Sequence, residues 1–135
     1  MIPKFRVWMK SLKWMCDVTN ISFDSKFVDI CQQGDTERYT EMSVEFDEIT
    51  LMQSTGLKDK NGKEIFEGDV VRTRNPRDIR QIGMFQVVRA ANSPMLGLLD
   101  KKFSTEIFNL YEHMRNCYEV KGNIYENPEL LEEKE

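Results

Sequence analysis

GLKDKNGKEIFEGDVV, residues Gly56 to Val71, is the stretch whose reading decides the fold. Asp59-Lys60-Asn61-Gly62 places Asp where a type I turn wants a side-chain acceptor, and Gly where the following bulge wants a positive φ. Read instead from Asn61-Gly62, it is a favoured two-residue hairpin loop, and both readings return the chain through Lys63 to Phe66 as a hairpin. Glu67-Gly68-Asp69 makes a second tight corner, in which short acidic side chains accept local backbone N–H groups. Val70 and Val71 then start another strand. Leu57 to Val71 is therefore expected to be tightly turned β-structure.

Outward from this core the same grammar continues. Upstream, Phe5, Trp8, Met9 and Leu12 fit a helical stripe, whereas Phe5, Val7 and Met9 fit a strand. The basic, aromatic helix would imply membrane-surface binding. The aromatic and β-branched content favours a strand from Lys4 to Met9, returning through a Lys-rich turn into Trp14 to Cys16. Ile21 and Phe23, then Phe27, Val28 and Ile30, read as hairpin material around Asp24 and Ser25, and residues 32–42 as a polar surface loop. Alternation over residues 44–53 switches phase across Asp47-Glu48, which predicts a bulge, bend or new strand there.

Downstream, Asn75-Pro76-Arg77-Asp78 is a turn, Ile82 to Val88 a strand, and Asn92-Ser93-Pro94 a break. Ile107, Leu110, Tyr111 and Met114 share one helical face between Ser104, placed to cap, and Asn116. Tyr118, Val120 and Ile124 predict a closing strand. Asn127-Pro128-Glu129 supplies an N-cap, a first-turn proline and a carboxylate for a short terminal helix with Leu130 and Leu131. The fold class expected is mainly β (β-rich α+β): a small SH3-like or pseudo-barrel of short antiparallel strands with one or two short helices. It is read as one domain over 1–135, subdivided into N-terminal strands (1–53), a barrel-like half (54–131) and a frayed tail (132–135).

The chain has 135 residues, 40% hydrophobic and 31% charged, the composition of a globular protein with one ordinary core. No apolar run approaches the roughly 20 residues that span a bilayer, and Lys4, Arg6, Lys10 and Lys13 interrupt the start, unlike a signal peptide. Cys16, Cys31 and Cys117 form no CxxC pair, which fits reduced thiols in a cytoplasm. A net charge of -4 repels a polyanion at long range.

Three blocks carry a likeness. They are Lys4-Phe5-Arg6-x-Trp8; Phe46-Asp47-Glu48 with Leu51-Met52-Gln53-x-Thr55-Gly56-Leu57 running on to Val71; and Tyr118-Glu119-Val120-x-Gly122-Asn123-Ile124-Tyr125-Glu126-Asn127-Pro128-Glu129-Leu130-Leu131. In this order they resemble the YopX family of phage and prophage proteins over nearly the whole chain. The resemblance implies a protein encoded by a bacteriophage or prophage, a β-rich fold, and a family without an established activity, from which no functional residue transfers. The pattern is loose over residues 73–115, where differences in partner would sit.

Catalytic chemistry finds little support. His113 is the sole histidine. Four residues from Cys117, it would share a helical face with that thiol. His113, Cys16, Cys31 and Cys117 make a zinc set by ligand type but not by spacing, so no metal or cofactor is expected. Asp47-Glu48, Glu67 with Asp69, and Asp29 near Asp35 are read as turn and surface residues, and no phosphate-binding loop is present. The feature above background is the basic run Arg72, Arg74, Arg77 and Arg80, either a solvated loop or an edge that grips phosphates or an acidic protein. Trp8 and Trp14 are added as exposed anchors. The expectation is a non-catalytic binding module for a phage or host protein, or for itself as a homo-oligomer. The alternative is a nucleic-acid-binding regulator using Arg72 to Arg80, and no membrane partner is expected.

Overall fold

The computed structural model describes residues 4–89, 96–99 and 107–132. The chain divides into two compact units, Met1–Gln53 and Ser54–Glu135. The expected break at residues 92–94, the helix-capping Ser104 and the last three residues of the expected frayed tail lie outside the described residues.

In the first unit, β1 (Phe5–Met9), β2 (Trp14–Ser22), β3 (Phe27–Gln32), β4 (Met42–Glu45) and the start of β5 (Ile49–Lys58) lie in the order β4-β3-β2-β1-β5. All neighbours are antiparallel. The strand reading of the N-terminus holds: Lys13, at φ 57, closes the Lys-rich turn by donating its N–H to Met9 O at 2.8 Å. Val7, Met9, Cys16, Val28, Ile30, Val44 and Ile49 form the core, with Trp14, Val18, Ile21 and Phe46 packed against it. Inward positions run Cys16, Val18, then Ile21 because the register of β2 against β3 shifts between Val18 and Asn20, a bulge that moves the phase by one residue. The phase switch at Asp47-Glu48 is a 3-10 turn, Phe46–Glu48, held by Glu45 N–H donating to Glu48 Oε2 at 2.9 Å.

In the second unit, β6 (Glu64–Phe66) pairs with the end of β5. A separate antiparallel sheet runs β10-β9-β8-β7-β11, built from β7 (Asp69–Arg74), β8 (Ile82–Arg89), β9 (Leu96–Leu99), β10 (Ile107–Asn109) and β11 (Tyr118–Asn123). Ile65, Val71, Phe85, Val87, Leu98 and Tyr118 are its core. The mainly-β expectation is met by two antiparallel sheets, and among the described residues neither closes into a barrel.

The Asp59 turn resolves the two hairpin readings. Gly62 has φ 81 while Asn61 is not among the residues of positive φ, and Gly62 N–H donates to Asp59 O at 3.0 Å. This is a type I turn with a glycine bulge, since a two-residue type I′ loop would need positive φ at both central residues. Asp59 Oδ1 accepts from Asn61 N and Lys63 N, both at 2.9 Å. At the second corner Asp69 Oδ2 accepts from Phe66 N at 2.8 Å.

The helix expected over residues 107–116 is corrected, and the expected short terminal helix is met as a 3-10 helix without its Asn127 cap. Over residues 107–116 the chain forms β10 and then a 3-10 helix, Glu112–Cys117. Phe108, Leu110 and Met114 still reach the core, but cross-strand pairing of Ile107–Asn109 with Gly97–Leu99 sets the conformation. Gly97 makes this approach possible, because a Cβ there would lie 2.8 Å from Phe108 O. At the end, Pro128–Leu131 is a 3-10 helix to which Asn127 gives no side-chain cap. Asn127 Oδ1 instead accepts from Asn123 N at 3.3 Å, and Asn123 Oδ1 accepts from Tyr125 N and Glu126 N at 3.0 and 2.8 Å.

Candidate functional site

The sequence-derived arginines do not form one cluster. Along β7 the burial alternates, with Val71 and Thr73 inward and Arg72 and Arg74 outward and exposed, as period-two geometry requires. Arg77 follows, exposed, in the Asn75 to Asp78 turn, where Asn75 Oδ1 accepts from Arg77 N at 3.0 Å. Arg80 is engaged elsewhere. Its Nε and Nη2 donate to Asp78 Oδ1 and Oδ2 at 3.0 and 2.9 Å. Its guanidinium also lies 5.4 Å from the ring centroid of Phe108, a residue packed on the second core. Donation from the Arg80 side chain is the main cause that lowers the Asp78 carboxyl to about 2. Among the described residues, the guanidinium groups of Arg72, Arg74 and Arg77 have no ion-pair partner.

Across the sheet, Arg72 pairs with Met84 on β8 and with Glu119 on β11, and Arg74 pairs with Ile82. Glu119 is held by Lys60 Nζ at 3.7 Å and Lys121 Nζ at 3.8 Å. Beside this row, Ile79 is 84% exposed and Ile82 52%. Neither isoleucine stood out in the sequence. Ile79 sits in a 3-10 turn (Ile79–Gln81) and Ile82 on the solvent side of β8, a position that alternation from Phe85 would have marked.

The tryptophans are not exposed anchors. Both are half-buried, and Trp14 packs on the first core because the β2 alternation turns it inward with Cys16.

Most conspicuous polar residues elsewhere hold turns. Asp35 Oδ2 accepts from both N and Oγ1 of Thr40 at 2.6 Å, and these bonds lower its carboxyl below the ordinary value. Asp59 is 1% exposed. Burial raises its pKa, but donation from the N–H groups of Val120, Lys63 and Asn61 together outweighs that and lowers it. Burial pushes the Cys16 thiol up to about 11, with Asp17 next, which makes it an inert core group. Cys31 faces Asp35 and Thr40 at 3.5–3.7 Å.

His113 is exposed with its ring 5.3 Å from that of Tyr111, and Cys117 packs against the second core. On a 3-10 helix residues three apart eclipse, so residues 113 and 117 do not share a face as the α-helical spacing predicts. Among the described residues no group of three or more His, Cys, Asp or Glu is placed to hold a metal ion, and no helix is long and apolar enough to cross a membrane.

This is a strand-rich protein in which the buried side chains of Asp59, Asp69, Asn75 and Asn123 serve turns and the open chemistry lies on one arginine-bearing face. The family model described as YopX protein matches residues 4–132, and the chain belongs to that family. It is similar to a solved structure, protein EF1440 from Enterococcus faecalis, with 33% identity over 97% of this chain and 99% of that one and a TM-score of 0.61. No curated protein matches.

Proposed function

We propose that the protein is a cytoplasmic accessory protein of a bacteriophage or prophage that acts by binding a phage or host protein, without catalysis. The observation that carries this is the outer side of β7 and β8, which holds Arg72 and Arg74 beside Ile82, with exposed Arg77 and Ile79 in the connection between the two strands. Among the described residues these three guanidinium groups have no ion-pair partner and the two aliphatic side chains stand in water, while most other notable polar groups are committed to turns. Interfaces are enriched in Arg, and exposed aliphatic groups beside it supply area to bury. Affinity capture from lysogenic cells tests the reading: one protein recovered repeatedly and specifically is expected, and repeated failure to recover any specific partner sinks it.

A second reading, a nucleic-acid-binding regulator, is favoured by the same unpaired guanidinium groups and opposed by the net charge of -4. It requires binding that weakens steeply with salt. A gel-shift titration at two salt concentrations decides it, and no binding at low ionic strength removes it.

A further inference from the structure

We propose that the outer face of β7 and β8 binds an extended acidic polypeptide segment whose carboxylates are interspersed with aliphatic side chains. This rests on the protein-binding reading above and gives it a place and a chemistry. Arg72 and Arg74 stand two residues apart on one strand and so point the same way, about 6.6–6.8 Å apart along it. Met84 lies directly across from Arg72, and Ile82 across from Arg74. The face thus presents a cation beside an apolar side chain twice over, with Arg77 and exposed Ile79 following at the same end.

The charge on this face opposes that of the chain. Glu119, the carboxylate opposite Arg72, makes its ion pairs with Lys60 and Lys121, so one carboxylate stands here against two lysines and two arginines and the local charge stays positive. A local cationic field on an acidic protein selects an acidic partner and speeds its approach. Guanidinium groups can then fork the carboxylates while the partner's aliphatic groups cover Ile79, Ile82 and Met84. A single-stranded nucleic acid fits less well. The side chains across from the arginines, Met84 and Ile82, are not aromatic and offer no platform on which bases stack.

The test uses the full chain and labelled probes in fluorescence anisotropy: a short peptide of Glu with interspersed Leu, an all-Glu peptide of equal length, a Lys-Leu control, and single-stranded and duplex DNA. The Glu-Leu peptide is expected to bind best. The double substitution R72E/R74E should weaken it by at least about tenfold, and Ile79→Ser with Ile82→Ser by several-fold. These side chains are exposed, and a thermal melt of each variant checks that the fold is kept. The proposal is overturned if the wild-type chain ignores the Glu-Leu peptide, if R72E/R74E binds it as well as the wild type, or if DNA binds more tightly than the peptide. A cellular partner captured equally by wild type and R72E/R74E overturns this location while leaving the broader protein-binding reading intact.

Discussion

Asp59 joins three segments through one buried side chain and its own carbonyl. Beyond the turn it closes, Oδ2 accepts from Val120 N at 2.8 Å and its carbonyl accepts from Arg115 Nε at 2.8 Å. Asp59→Ala leaves the N–H groups of Asn61, Lys63 and Val120 without that acceptor. At roughly 1 kcal/mol for each lost bond the cost is about 3 kcal/mol, read as a lower urea midpoint. The lowered pKa of this carboxyl fixes a pH dependence. The stabilisation from this carboxylate is complete above its unfolded value, near 4, and is lost as pH falls through its lower folded value. Urea midpoints of the wild type should therefore drop on acidification below about pH 4, and Asp59→Asn should show a shallower drop; equal slopes would remove the effect from Asp59. At Gly122 the reason for glycine is space: a Cβ would sit 2.8 Å from Asn127 Cγ and 2.9 Å from Leu130 Cδ1. Gly122→Val should cost about 1–3 kcal/mol by overpacking, measured by thermal melting. The turn acidic residues were legible in the sequence because Asx chemistry is local, whereas the reach of Asp59 to Val120, 61 residues away, leaves no local pattern.

At the scale of elements, most strands read from alternation, β9 (Leu96–Leu99) has no alternation to read, and the misreading of β10 falls where pairing overrides spacing. Ile107, Leu110, Tyr111 and Met114 match a helical period, yet a β-strand followed by a 3-10 helix delivers apolar groups to the same core. The partner strand and the bare Cα of Gly97 decide between them, and both are distant in sequence. The 3-10 segment depends on Tyr118, whose hydroxyl accepts from Tyr111 N at 3.1 Å from a fully buried ring. Tyr118→Phe should cost about 1 kcal/mol and speed amide exchange at Tyr111, while amides in the middle of β8 stay protected. The arginine face was half legible. The run of Arg was visible, but removing Arg80 and adding Ile79 and Ile82 required knowing which side of the sheet each residue occupies.

For the whole molecule, each unit carries its own core, and the second is stitched by contacts distant in sequence. Leu98→Ala, at a fully buried position, should cost about 2–5 kcal/mol. The loss should appear first as faster amide exchange in β7, β8 and β9. The pairing of β11 with β7 bears on synthesis. β7 has β8 on one side and the much later β11 on the other, and Lys60 N–H donates to Tyr118 O beside the Asp59 carboxylate on Val120. During translation, the β5–β6 hairpin and β7 leave the ribosome long before the strand that satisfies them. Until Tyr118 to Asn123 emerges, one edge of β7 is open and a buried carboxylate waits for its donor, so the nascent chain passes through an interval in which it is sticky and exposed to proteases.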